Sequence, residues 1–142
     1  MATRSIIGIV NEDKSITGIY CHYDGYLENN GKLLLNHYNN VGIINELMEL
    51  GDLSYLDKNL YSDNNSHTFK NPQPGVCVAY GRDRGETNVD GVIYEDLGGF
   101  EDAMEDYGCD YQYLFEDGKW MYRAGSQGKW MDLTPEVCKI KA

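Results

Sequence analysis

"SIIGIVNEDKSITGIYCHYDGY", residues 5–26, decides how the rest of the chain is read. Its runs SIIGIV and ITGIYCHY are rich in the β-branched residues that suit a pleated strand, and the polar NEDKS between them has the composition of a turn. The segment predicts a β-hairpin. After Gly25 the period changes, and LENNGKLLLNHY and NNVGIINELMEL read as two short helices. The second has Asn40 as N-cap, Val41, Ile44 and Met48 as an apolar stripe, and Gly51 as its left-handed stop. GVCVAYG and DGVIYE then return to strand composition. Phe100, Ala103, Met104 and Tyr107 recur at i, i+3, i+4 and i+7, predicting a short amphipathic helix that ends at Gly108. DYQYLF, the tight-turn pair Asp117-Gly118, KWMYRA and GKWMDL add further sheet. The expected class is α+β: a mainly antiparallel sheet with two to three short helices packed on one face.

The chain of 142 residues is long enough to bury one sizeable core, and a single domain over residues 1–142 is expected. No run approaches membrane-spanning length, and the opening MATRSIIGIVNEDK is interrupted too early for a secretory signal, so a cytoplasmic protein is expected. Cys21, Cys77, Cys109 and Cys138 are scattered without a C-x-x-C pair, which points to reduced, mostly buried thiols. DNNSHTFKNPQPG, residues 63–75, reads as one long connection. Its Asp63 and His67 are too few to hold a metal, and its sequon Asn64-Asn65-Ser66 has no role without secretion.

Charge is unevenly placed. Between Arg84 and Lys119 lie Glu86, Asp90, Glu95, Asp96, Glu101, Asp102, Glu105, Asp106, Asp110, Glu116 and Asp117, with no basic residue among them, and this window accounts for the whole net charge of −11. On the expected helix, Glu101 and Glu105, and Asp102 and Asp106, are like-charged i, i+4 pairs, each costing roughly 0.2–0.5 kcal/mol. A solvated, solubilising face is one reading. The other is a docking surface whose carboxylates imitate the phosphates of a duplex and whose interleaved tyrosines, among them Tyr94, Tyr107, Tyr111 and Tyr113, anchor it. Direct nucleic-acid binding by this face is disfavoured by repulsion from phosphates.

Catalytic motifs are sparse. GYLENNGK has five residues between its glycines where a phosphate loop has four, and Leu33 where that loop carries a hydroxyl. AGSQGK has the wrong glycine spacing for a nucleophile elbow. In GIYCHYDGY, alternation would place Tyr20, His22 and Asp24 on one strand face, where His and Asp could act as acid and base; the competing role for Asp24 is to terminate the strand. His37 reads as a packing histidine. In YGRDRGE, Arg82 and Arg84 would point the same way if extended and could clamp a phosphate beside Tyr80, while their plainer role is to pair with Asp83 and Glu86. Tyr20, His22, Asp24, Arg82 and Arg84 thus form an alternative, small-nucleotide site. No cofactor or metal site is expected.

Taken together, GIYCHYDGY, GKLLLNHYNN, LMELGDLSYL, GVCVAYGRDRGE and YLFEDGKW resemble a widespread set of small acidic proteins encoded by phages and prophages of low-GC bacteria. The resemblance covers most of the chain and transfers no functional residue. What it implies is context: small phage proteins of concentrated negative charge are often antagonists of host defence, anti-CRISPR and anti-restriction proteins included. The expectation is a non-enzymatic inhibitor in the cytoplasm of a bacterial host. It would bind a basic nuclease or effector through Glu95, Asp96, Glu101, Asp102, Glu105, Asp106, Tyr107, Asp110, Glu116 and Asp117. Self-association through a sheet edge is a further possibility.

Overall fold

The expected hairpin is the centre of the sheet. In the computed structural model, which describes residues 2–62 and 67–139, strands β1 (Ser5–Val10) and β2 (Ile16–Cys21) pair antiparallel from Ser5 opposite Cys21 to Val10 opposite Ile16. Ile6, Ile7, Gly8 and Ile9 are all buried, the signature of a strand covered on both faces. On its other side β1 pairs in parallel with β6 (Tyr111–Glu116), which turns back into β7 (Lys119–Ala124). That turn is Asp117-Gly118, both at positive φ (52° and 78°), as a two-residue hairpin requires. The short β8 (Met131–Asp132) closes that edge.

The outer side of β2 is shared. Its end bridges in parallel to β3 (Leu53–Tyr55), which pairs with β4 (Val78–Ala79), while its beginning pairs antiparallel with β5 (Val92–Tyr94). The mixed fold class is as expected from sequence, with antiparallel pairings in the majority.

The helices divide between the two faces, where the sequence pattern put them on one. A π-helical turn (Leu27–Gly31), α1 (Lys32–His37) and α2 (Val41–Leu50) cover Ile7, Ile9, Ile19, Cys21, Tyr113 and Phe115. The helix at Leu97–Asp106, here α4 because a short α3 precedes it at Tyr80–Arg84, covers Ile6, Ile16 and Leu114 from the opposite side. Phe100 explains the arrangement. Gly8 and Gly18 face each other across β1 and β2. A Cβ on either would stand 2.8 Å or 3.0 Å from the Phe100 ring. Two paired glycines therefore make the hollow that seats the helix.

The caps agree with the sequence reading. Asn40 Oδ1 accepts from Ile43 N at 3.0 Å and Gly51 ends α2 at φ 76°. The buried stripe of α2 is Ile44, Leu47 and Met48; Val41, expected in it, is exposed because it sits in the first turn, beyond the sheet's cover. YGRDRGE, in which Arg82 and Arg84 would share a direction if extended, is instead helical: α3, closed by Gly85 at φ 73°.

Candidate functional site

Residue by residue, the acidic window is not one plane. Asp96 caps α4, its Oδ1 accepting from Gly99 N at 2.9 Å. Glu101 accepts from Trp130 Nε1 at 2.7 Å, and the Trp130 ring lies over Phe100 with centroids 6.2 Å apart. Asp102, Glu105 and Asp106 point to solvent, and Tyr107, exposed, stacks against Tyr20 at 5.8 Å. Asp110 and Glu116, both exposed, lie at opposite ends of β6, about 20 Å apart at strand rise. Asp117 occupies the hairpin turn beside a second hollow that Glu12 and Lys14 also line. Tyr113, suggested as an anchor, is fully buried, its hydroxyl donating to Gly25 O at 2.6 Å.

What gathers part of the window is a groove. Glu95, Asp96 and Glu116 line a depression of about 420 Å³ whose other walls include Ile16, Leu97, Leu114, Met121 and Trp130, with Lys14 as its one basic residue. Of the eleven carboxylates between Arg84 and Lys119, Glu86 alone is ion-paired among the described residues. The surface is thus a carboxylate strip along α4, continuous with an apolar groove rimmed by more carboxylates.

Below the groove lies a residue the sequence reading passed over. Arg123 is buried and has no acidic partner among the described residues; Nε and Nη2 donate to Gln112 Oε1 at 3.1 Å and 2.8 Å, Nη2 also to Glu101 O and Nη1 to Ser126 O, each at 2.9 Å. Gln112 in turn donates to Phe100 O at 2.6 Å. This network ties α4 to the sheet.

The alternative residues meet only in part. Tyr20, His22 and Arg84 line one cavity of about 540 Å³, joined by Tyr23, Asp52, Ser54, Phe69, Tyr80, Glu86 and Val89. Tyr20 Oη and His22 Nδ1 share a 2.7 Å hydrogen bond. Burial pushes the Tyr20 hydroxyl up to about 12, and burial, with the nearby Arg4 cation, lowers His22. Asp52 Oδ1 accepts from Tyr20 N at 2.9 Å; burial, reinforced by Asp90, raises this carboxyl to about 6. Arg84 lies 4.6 Å from the Phe69 ring centroid and 5.1 Å from that of Tyr80, and its Nε pairs with Glu86 at 2.7 Å.

Asp24 and Arg82 are not part of it. Asp24 follows the strand's end at φ 57°, exposed, in the terminating role. Because α3 turns by about 100° per residue, Arg82 diverges from Arg84. It donates to Leu60 O and Cys77 O and pairs with Asp83 at 2.9 Å. Asp83 also pairs with His67 Nε2 at 3.2 Å and accepts from Ala79 N at 2.8 Å. Burial opposes its ionisation, but these partners, Arg82 first, hold its carboxyl below the ordinary range. This is a structural staple.

Asp63 lies outside the described residues, among which no group of three metal-ligating side chains occurs and no helix is long and apolar enough to cross a membrane. The four cysteines are free and buried; burial pushes Cys21 and Cys109 up to about 12 and Cys138 to about 11, which opposes thiolate chemistry. Set beside known proteins, no family model, no curated protein and no solved structure matches the chain.

Proposed function

We propose that the protein acts by docking, without turnover. Its carboxylate strip and groove bind a basic, nucleic-acid-binding surface of another protein, as a phage inhibitor of a bacterial defence nuclease or effector would do. The carrying observation is the lack of internal neutralisation: Glu86 aside, the window's carboxylates have no ion-pair partner among the described residues. Charges left free and of one sign steer a basic partner in and exclude nucleic acid from the surface they occupy. The groove adds what ionic contact lacks, because Leu97, Met121 and Trp130 offer apolar area beside the charges. The resemblance of GIYCHYDGY and GVCVAYGRDRGE to small acidic phage proteins supplies the setting.

The test uses a variant with Asp102→Lys, Glu105→Lys and Asp106→Lys, leaving Glu101 in place because its carboxylate holds Trp130. Wild type and variant are compared as baits in nuclease-treated bacterial lysate at low and high salt, and the retained protein is then assayed for nucleic-acid binding. A nucleic-acid-binding protein retained by wild type, released by salt and lost with the variant supports the proposal. Equal retention by the triple variant refutes it.

A further inference from the structure

The docking surface leaves unused the cavity at the end of β2, and that cavity carries an independent inference. Its volume of about 540 Å³ falls in the range of small-molecule sites. Three features define what would fit. The first is aromatic wall: Tyr20, Tyr23, Phe69 and Tyr80 all line the space, so a flat ring finds stacking surface. The second is Asp52. One carboxylate oxygen is engaged by Tyr20 N, and the other has no protein donor among the described residues, although no buried side-chain oxygen or nitrogen is left without a partner. That oxygen is therefore reachable, partly desolvated and in want of an N–H donor.

The third is Arg84. Its Cζ lies over the Phe69 and Tyr80 rings, which hold the guanidinium in the cavity, and its Nε pairs with Glu86 at 2.7 Å. No hydrogen bond among the described residues engages its Nη groups, which offer an incoming anion the fork geometry that matches two oxygens of a phosphate. An acceptor for N–H groups, aromatic walls and an oriented guanidinium fork in one cavity are complementary to one molecular class. We propose that the cavity binds a nucleotide, its base among the tyrosines with an N–H edge on Asp52 and its phosphate on Arg84. His22 belongs to the same wall: when the Tyr20 hydroxyl donates to Nδ1, the ring proton sits on Nε2, a further donor for base or ribose.

Calorimetric titration with GMP, AMP, CMP, UMP, the matching nucleosides and inorganic phosphate tests this, with thermal unfolding confirming that each variant is folded. At least one nucleotide binds wild type. Arg84→Met weakens that nucleotide by roughly ten- to a hundredfold while leaving its nucleoside unchanged, and Asp52→Asn weakens both. Conservative Tyr80→Phe keeps the stacking and binds within a few-fold of wild type. No binding of any nucleotide at millimolar concentration, binding of inorganic phosphate alone, or binding indifferent to both Arg84→Met and Asp52→Asn overturns the proposal. Asp102, Glu105 and Asp106 lie outside this cavity, so the triple lysine variant should bind the nucleotide as wild type does.

Discussion

Replacing Glu105 and Asp106 together by lysine should stabilise the fold while damaging the docking surface. Both residues lie in the last turn of α4, at Leu97–Asp106, and both are exposed. In the wild type each is the second member of a like-charged i, i+4 pair, with Glu101 and Asp102 respectively. Turning repulsion into attraction is worth roughly 0.4–1 kcal/mol per pair. The lower half applies to Glu101, whose carboxylate is committed to Trp130 at 2.7 Å and cannot reorient freely. The helix dipole adds roughly 0.3–1 kcal/mol for each cation placed at the C-terminal end, less here because the positions are open to solvent. About 1.5 kcal/mol at low ionic strength is the expected total. For a chain of this size that is a rise in Tm of roughly 3–6 °C. The assay is thermal unfolding by circular dichroism at ionic strengths of about 0.01 M and 1 M, where the screening length falls from about 30 Å to about 3 Å. An unchanged or lowered Tm at low ionic strength, or a rise that survives high salt, refutes the reasoning. Binding should move the opposite way, so stability and function separate in one variant.

Three further outcomes are expected. Arg123→Met strands Gln112 Oε1, Glu101 O and Ser126 O without their donor, and should cost about 2–4 kcal/mol in urea unfolding; a loss under about 1 kcal/mol would show that the network contributes little. Gly8→Ala drives a methyl to 2.8 Å from the Phe100 ring and should cost about 1–3 kcal/mol, partly recovered by adding Phe100→Leu; failure of the second change to help would dissociate the glycine from the ring. Asp52, raised to about 6, binds its proton more tightly folded than unfolded, so stability falls as pH rises from the ordinary carboxylate range through about 6 and is flat above it. Asp52→Asn should erase that slope and add about 1 kcal/mol at neutral pH, the full shift being discounted for the solvent that reaches the group; a retained slope would assign it elsewhere.

Local signals were legible where a residue type has one physical use. The NEDKS turn, the Asn40 cap, the Asp117-Gly118 hairpin and the Phe100, Ala103 and Met104 members of the α4 stripe each follow from backbone chemistry or periodicity and stand where the sequence puts them, whereas Tyr107, the expected i+7 member, lies past the helix end and is exposed. What stayed hidden depends on partners distant in sequence. Nothing local says that Gly8 and Gly18 face one another, yet that pairing is what brings α4 to the second face of the sheet. YGRDRGE is too short to carry a helical period of its own, so nothing in it separates the helix that parts Arg82 from Arg84 from the extended form that would align them. Asp52 directly follows the helix stop at Gly51 and Phe69 lies in a polar loop, and only the folded chain sets them facing Tyr20 and Arg84. Arg123 could have been noticed as the lone cation of a strand otherwise made of aromatic and apolar residues, KWMYRA, after its first position.

The distribution of charge on α4 favours the docking proposed for this face over a purely solubilising role. Solubility needs charge of either sign, dispersed, and is served best where apolar side chains are withdrawn. Here like charges stand at i, i+4, where interleaved lysines would cost nothing and stabilise the helix. Leu97, at the start of that helix, is 42% exposed, and Met121 and Trp130 line the groove beside it. Apolar side chains left open beside uncompensated carboxylates work against solubility and fit a surface completed by something else. Trp130 makes the connection physical: one ring packs on Phe100, donates to Glu101 and lines the groove, so the residue that anchors the helix also shapes the surface a basic partner would meet.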